Sequence, residues 1–173
     1  DLTHEGPFTA IRIEGSKESI DHRIKNLCKE LELNINETLV LENEQSKILW
    51  ERTRALEVFS KMKSNLLRIV LPATETFEVI KQLRPQEPKY FIDWGGSLVW
   101  LQLDKINAKI LNEIRKIVNN AKGYLTVIKI EEDLKASADI FTVDPVKYKI
   151  SEKLKKSFDP KRILNPGKMY SGI

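Results

Sequence analysis

The sequence has very few of the residues from which metal centres and covalent crosslinks are built. One cysteine, Cys28, and two histidines, His4 and His22, occur among 173 residues. A single cysteine cannot form an internal disulfide, and such sparse use of cysteine is typical of a reducing compartment. Cys28 falls on the apolar side of a predicted helix and is interpreted as a core residue. We therefore expect no metal site and a cytoplasmic location.

Long apolar runs and familiar catalytic motifs are also lacking. The longest apolar run, Leu98–Leu101, is strand-sized and far short of the roughly 20 residues of a membrane-spanning helix. The chain has no phosphate-binding loop, glycine-rich dinucleotide turn, zinc-protease motif or nucleophile-elbow serine. These absences exclude a membrane-spanning protein and several large enzyme classes.

The charge balance is too small to indicate nucleic-acid binding. Basic residues number 29 and acidic residues 25, with a net charge of +4, and the two signs are interspersed. Six lysines lie between Lys147 and Lys161, and we interpret them as the solvated face of a terminal helix. The chain begins at Asp1 without a methionine, so we expect it to be a piece of a longer protein.

The patterning from Leu66 to Ile130 predicts an α+β layer. The predicted order is strand, helix, strand, glycine turn, strand, helix, strand, which is the split βαβ of ferredoxin-like domains. The elements are strands at Leu66–Leu71, Tyr90–Trp94, Leu98–Leu103 and Tyr124–Ile130, with helices at Glu75–Leu83 and after a cap at Asp104, the latter ending at Gly123. We expect an antiparallel sheet with helices mainly on one face.

The regions on either side of this core are predicted to add to it. Alternating residues predict strands at Phe8–Ile13 and from about Asn36 to Leu41, which would extend the same sheet. Helical spacing predicts one helix after Ser16 and another at about Glu44–Phe59. Beyond Ile130 the sequence predicts no strand, only a helical C-terminal tail with a helix at about Lys147–Phe158.

Two segments are candidates for function. In the first, Trp94 and Trp100 flank Gly95 and Gly96, with the indoles predicted on opposite sides of a hairpin. They either pack the sheet or line a ligand or subunit surface.

The second segment is the tail, where Pro160 and Pro166 restrict the backbone and Gly167 allows a turn. The tail would present the Asn165 amide, which both donates and accepts hydrogen bonds, as a heteroaromatic cofactor edge requires. Alternatively, Ile163 and Leu164 simply anchor the C-terminus.

These two segments resemble a known family. Phe158-Asp159-Pro160 and Ile163-Leu164-Asn165-Pro166-Gly167-Lys168 resemble the C-terminal signature of FAD-linked oxidases of the vanillyl-alcohol oxidase type. Asp93-Trp94-Gly95-Gly96-Ser97-Leu98-Val99-Trp100 and Met169-Tyr170 are most similar to the FAD-binding E subunits of bacterial glycolate oxidases. The resemblance implies a substrate-side cap at residues 1–130 and a helical extension with a flavin-contacting tail at 131–173. The N-terminal FAD-binding domain would lie outside this chain.

The resemblance also implies a chemistry and a set of residues. The intact protein would use FAD to oxidise a 2-hydroxy acid such as glycolate by hydride transfer, whereas this fragment alone would bind no FAD and be inactive. Asn165, Pro166 and Gly167 would lie nearest the flavin. Arg52 or Arg54, close to Trp50, is a candidate for binding the substrate carboxylate, although Thr53 replaces the arginine of the usual W-x-x-R spacing and pairing with Glu51 or Glu57 is the alternative.

The same resemblance implies partners and a location. Other glycolate oxidase subunits would bind the protein and could associate it with a membrane, and no nucleic acid would be bound. The alternative from another class is a non-catalytic ferredoxin-like interaction or assembly module, in which Trp94 and Trp100 form the contact surface.

Overall fold

The structure is a computed structural model in which most of the chain is described. The described residues are 7–34, 38–59, 65–135, 138–142, 144–168, 170 and 173. His4, Asn36 and Met169, which the sequence analysis names, lie outside them. The chain consists of two compact units, Asp1–Ser60 and Lys61–Ile173, each of which is described by itself.

The first unit contains two helices. Helix α1, Lys17–Glu30, begins at Ser16, whose hydroxyl accepts a hydrogen bond from the amide of Ser19 at 3.4 Å. Helix α2, Asn43–Arg54, is followed by a single 3-10 turn at Glu57–Phe59. The predicted helix to Phe59 is thus shortened, because the backbone of Leu56 takes a positive φ of 53°.

The strands predicted in the first unit are not formed in the part that the structure describes. Residues 7–14 and 38–42 have no regular secondary structure, and the four-stranded sheet of the second unit does not include them. Ile11 is 55% exposed, so the apolar side of the alternating pattern faces no core. The alternating pattern predicted a strand here, but no strand forms because no partner strand is present to hydrogen-bond it in the described residues. The prediction that this region extends the sheet was wrong.

The second unit has the predicted ferredoxin-like order. Its elements are β1 (Asn65–Val70), α3 (Thr76–Leu83), β2 (Lys89–Asp93), β3 (Leu98–Leu103), α4 (Ala108–Asn120), β4 (Tyr124–Lys129), α5 (Glu132–Lys135) and α6 (Pro145–Phe158). The sheet order is β2-β3-β1-β4, and every neighbouring pair is antiparallel. The α+β class, the antiparallel sheet and the C-terminal helix are confirmed. The structure groups the sheet and the helical extension in one compact unit, and the division at residue 130 into cap and flavin-contacting tail stays a prediction.

One face of the sheet and helices α3 and α4 enclose the core. Alternate residues of β1 point to this face, and Leu67 and Ile69 are completely buried there. Leu83 of α3 and Ile114 of α4 belong to the same apolar cluster. At one end, the buried amide of Asn65 donates to the carbonyl of Leu103 at 3.3 Å and accepts from the amide of Glu131 at 3.0 Å. This side chain ties the start of β1 to the ends of both neighbouring strands.

The ends of α4 differ in detail from the sequence prediction. Asn107, not Asp104, caps the helix, and its side-chain oxygen accepts from the amide of Ile110 at 2.9 Å. After the helix, the left-handed backbone position is Lys122, with φ 56°. A Cβ on Gly123 would come within 2.9 Å of side chains of Leu71 and Val118, so close packing is what requires glycine here.

Truncation of the central strand should be far more costly than truncation at a partly exposed strand position. Ile69 is 0% exposed and Ile128 in β4 is 48% exposed. We expect Ile69→Ala to lower the free energy of unfolding by about 2–5 kcal/mol because it leaves a cavity. Ile128→Ala should cost less than about 1 kcal/mol. Urea titrations followed by circular dichroism measure both, and equal losses would contradict the placement of the core.

Candidate functional site

The segment after β4 returns along the outer edge of the sheet before the last helix begins. The amide of Val127 donates to the carbonyl of Ile140 at 2.7 Å, and the amide of Thr142 donates to the carbonyl of Leu125 at 3.0 Å. The Thr142 hydroxyl also bonds the backbone of Leu125. Arg115 of α4 donates to backbone carbonyls of this segment, including that of Phe141 at 2.7 Å. Burial lowers the pKa of Arg115 from its ordinary value.

Helix α6 begins at an aspartate cap. The Asp144 carboxylate accepts from the amides of Val146 at 2.8 Å and Lys147 at 3.0 Å, and these bonds lower its pKa. Pro145 occupies the first helical turn, where its missing N–H is not needed. Lys147 donates to the Tyr124 hydroxyl at 2.7 Å, a bond that raises the lysine pKa. The start of α6 is thereby attached to β4.

The other end of α6 is joined to the tail through Asp159. Its carboxylate accepts from the amides of Ile163 at 3.0 Å and Leu164 at 2.9 Å. Lys155, one turn back on the helix, lies 2.8 Å from the same carboxylate and also donates to the Leu164 carbonyl. The lysine and the two amides lower the pKa of Asp159 to about 2. One ionised side chain therefore fixes the first half of the tail.

The far end of the tail is fixed by aromatic packing. Tyr170 is buried, and its ring centroid lies 5.6 Å from that of Tyr148 in α6 and 6.2 Å from that of Phe141. Ile173 is also buried, and its carbonyl accepts from the amide of Gly167 at 2.7 Å. The chain between these attachments forms what we call the tail loop, residues 160–168, all of which are exposed.

Asn165 lies in this exposed tail loop. It has a left-handed backbone with φ 46°, a conformation that asparagine tolerates better than most residues, and Gly167 follows with φ 69°. A Cβ on Gly167 would meet nothing within 4 Å, so the space beside the loop is open. The accessible amide and the open backbone fit the edge of a ring with alternating donors and acceptors, as a flavin presents.

The alternative in which Ile163 and Leu164 anchor the C-terminus is wrong for this structure. Ile163 is 70% exposed and Leu164 is similarly exposed, whereas Tyr170 and Ile173 do the anchoring. Helix α6 adds a row of exposed apolar side chains at four-residue spacing. We call this row the apolar stripe: Val146, Ile150, Leu154 and Phe158. The predicted solvated lysine face is found at Lys149, Lys153 and Lys156, which are exposed, but not at Lys155, which is paired with Asp159. The apolar stripe was not predicted.

The arginines predicted to bind a carboxylate lie on α2, in the first unit. Arg52 Nε donates to Glu57 Oε2 at 2.8 Å, which is one of the two surface pairs that the sequence left open. Arg54 is exposed at the last residue of the helix. Their proposed role with substrate stays a prediction.

The glycine hairpin places both tryptophans near one arginine. Trp94, Gly95 and Gly96 all have positive φ, a backbone that glycine adopts without strain at the second and third of these positions. The guanidinium carbon of Arg68 lies 5.3 Å from the ring centroid of Trp94 and 6.0 Å from that of Trp100. The prediction that the indoles point to opposite sides was wrong, because both approach Arg68 on the face of the sheet away from α3 and α4.

Other candidate chemistry is limited in the residues that the structure describes. Cys28 is buried, and the His22 ring lies 2.9 Å from the side-chain amide of Asn26. No cluster of three or more His, Cys, Asp or Glu side chains suited to a metal ion occurs among them. Within the same described residues, we find no helix with the length and hydropathy needed to cross a bilayer.

The tail and α6 coincide with a match to a known family. Residues 141–169 match the family described as FAD linked oxidases, C-terminal domain. Helix α6 and the tail are thus similar to the C-terminal domain of FAD-linked oxidases, and the resemblance seen in the sequence is confirmed.

A curated relative is consistent with this assignment. Over 127 aligned residues the chain is 30% identical to the glycolate oxidase subunit GlcE of Escherichia coli (strain K12). The aligned stretch covers 72% of this chain and 31% of GlcE. The chain spans about a third of the length of that relative.

Two residues of the site received no role from sequence reasoning. Asp159 was noticed only as part of a motif, although an aspartate at the end of a helix, ahead of two turns, is a known acceptor for downstream amides. Arg68 was not noticed at all. An arginine at the centre of an apolar strand was the available signal, but its aromatic neighbours come from strand pairing.

Replacing Asp159 should loosen the tail loop. Asp159→Asn removes the ion pair with Lys155 and leaves one acceptor oxygen for two amides, so we expect faster hydrogen exchange at Ile163 and Leu164. Since the folded pKa is about 2 and the ordinary value is 3.8, the carboxylate stabilises the fold above about pH 4 and loses this effect as the pH falls through about 2.

The matched control is Asp133→Asn, at an exposed aspartate of α5. Amide exchange and urea titrations between about pH 2 and pH 6 measure the effect. The role of Asp159 is contradicted if its variant keeps the exchange rates and the acid dependence of the parent protein.

Proposed function

We propose that this chain is the C-terminal cap and tail of an FAD-dependent oxidase subunit that acts on glycolate or a similar 2-hydroxy acid. The observation that carries the proposal is the tail loop, which is attached at both ends and exposes the Asn165 amide between them. A loop held in one conformation without burying its own polar residue is pre-organised to contact another surface.

The proposal assigns separate tasks to the tail residues. The Asn165 amide would hydrogen-bond the polar edge of the flavin, and Gly167, having no side chain, would let the backbone approach closely. Asp159 and Lys155 would fix the position of the tail loop relative to α6 without touching the cofactor. When bound, FAD would supply the hydride acceptor for oxidation of the substrate.

The apolar surface beside the tail loop supports a second part of the proposal. The apolar stripe is followed along the chain by two more exposed apolar residues, Ile163 and Leu164, and Phe158 at its end is 83% exposed. An apolar area of this kind is characteristic of an interaction site. We propose that the FAD-binding domain of the intact protein covers it, which would bring the tail loop to the flavin. The isolated chain should then bind no FAD and have no activity.

The name of the relative supports a proposal about partners. GlcE is, by its name, a subunit of glycolate oxidase. We therefore propose that the intact protein binds other subunits of such an enzyme. It would be cytoplasmic, with any membrane association made through those subunits.

A non-catalytic interaction module remains a second candidate because one observation favours it. Trp94 is 58% exposed on the hairpin, and tryptophan is enriched at protein interfaces. The visible absorption spectrum of the protein expressed from its full reading frame separates the two functions. Bound flavin supports the oxidase subunit, and a colourless, stably folded protein supports the module.

Removal of the Asn165 amide should weaken the contact with flavin. Asn165→Gly deletes the amide and tolerates the positive φ, so it isolates the hydrogen bonds from backbone strain. In the full reading-frame protein we expect up to about tenfold weaker FAD binding or a shifted flavin spectrum, with slower reduction by glycolate.

Two further variants complete the Asn165 test. Asn165→Ala adds a backbone cost at φ 46° and should have an effect at least as large. Asn120→Ala, at an exposed asparagine that ends α4, is the control and should change nothing. An unchanged spectrum, affinity and reduction rate in Asn165→Gly would remove Asn165 from the site.

The apolar stripe should matter for FAD content but not for folding of the second unit. We expect Leu154→Gln to leave the stability of the isolated chain unchanged, because Leu154 is already exposed. In the full reading-frame protein the same change should weaken domain contact by about 1.5–3 kcal/mol and lower the FAD content. Lys153→Gln, the neighbouring exposed position, is the control. Equal FAD content in the two variants would contradict the covered stripe.

A further inference from the structure

Arg68 lies at the centre of the sheet face that α3 and α4 do not cover. It is the middle residue of a row that crosses the sheet through successive strand pairs. The row is Phe91, Trp100, Arg68, Thr126 and Phe141. All five residues are partly exposed. A cation therefore stands in an otherwise uncharged row on a face that remains accessible.

The guanidinium of Arg68 has aromatic neighbours but, among the described residues, no acidic group paired with it. No ion pair joins it to any carboxylate in the described part of the chain, and its N–H groups donate to no protein atom there. The carboxylate of Asp93, which ends β2, accepts from the amide of Trp94 at 2.7 Å. The five donors of this planar fork are thus held on the sheet with no acceptor among the described residues.

Arg115, another partly buried arginine of this unit, differs from Arg68 because its donors are used. Arg115 is also partly buried, and it donates to the carbonyls of Asp139 and Phe141. Among the residues that the structure describes, the partners of Arg68 are the two indoles, whose rings attract the cation and restrict its side chain. Aromatic contact through the faces leaves the edges of a guanidinium available for a carboxylate, which binds in the plane through two parallel hydrogen bonds.

We propose that Arg68, positioned by Trp94 and Trp100, binds the carboxylate of a small 2-hydroxy acid. The proposal rests on the function proposed above and names Arg68, rather than Arg52 or Arg54, as the carboxylate-binding arginine. The indoles exclude water from one side of the ion pair, which strengthens it relative to a pair in bulk solvent. The hydroxyl and α-carbon of the bound acid would project away from Arg68, beyond the face of the sheet.

The test is a binding titration of the protein expressed from its full reading frame. Glycolate is added and tryptophan fluorescence is recorded, since two of the three tryptophans of this chain lie against Arg68. Where flavin is bound, its absorption under anaerobic conditions supplies a second signal. We expect saturable binding of glycolate, none of the uncharged analogue ethylene glycol, and weaker binding of sulfate.

Substitutions connect the signal to Arg68. Arg68→Gln should weaken glycolate binding by about 10–100-fold, the loss of a charge-assisted bidentate contact. Arg68→Lys keeps the charge but not the fork and should give an intermediate affinity. The matched control, Arg84→Gln, changes an exposed arginine of the same unit and should bind as the parent does. Circular dichroism identifies any variant that fails to fold. If Arg68→Gln does not fold, the glycolate affinity of Arg68→Lys is compared with that of the parent.

The outcomes separate this inference from the proposed function. If the protein contains flavin and both Arg68→Gln and Arg68→Lys bind glycolate as tightly as the parent does, the role of Arg68 is overturned and the oxidase proposal stands. A flavin-free protein that binds glycolate through Arg68 overturns the oxidase proposal and leaves the carboxylate site. Absence of glycolate binding to the parent protein, or equal binding of sulfate, overturns the carboxylate site.

Discussion

The ion pair between Lys155 and Asp159 is the interaction on which the tail depends. Without it, the last turn of α6 would end in a chain whose exposed apolar side chains have no contact to direct them. The carboxylate gathers three donors, two from the backbone ahead of it and one from the helix behind it. An ionised acceptor with several donors is a stronger and more directional constraint than the two prolines, which limit φ but attach the tail to nothing.

The core of the fold could be predicted from the sequence because its signal is local. Alternation in β1 and the helical stripe of α4 each need only a few consecutive residues, and the core residues Ile69 and Ile114 confirm both. The same local signal failed at Phe8–Ile13, where strand formation depends on a partner and no nearby residue reports whether one exists. The prediction that Asp104 caps α4 was wrong for a simpler reason: Asn107, three residues later, offers an equivalent acceptor and caps the helix.

The candidate site divides in the same way. Asn165 and Gly167 could be selected because prolines and glycines mark unusual backbone within a few residues of each other. Arg68 could not, because its neighbours become neighbours only when β1 pairs with β3 and the hairpin closes. Trp94 and Trp100 were recognised as unusual, yet their direction depended on a positive φ at Trp94 that the adjacent glycines did not disclose.

The segment that returns along β4 has a consequence for how copies of this unit meet each other. Its backbone bonds to Leu125 and Val127 occupy groups that an incoming extended peptide would need. Within the described residues, intermolecular strand addition is therefore directed to β2, the opposite margin of the sheet. That margin also displays Tyr90 and Ile92 to solvent. Any self-association through β-strands, useful or harmful, would begin at β2, which ends at the turn that contains Trp94.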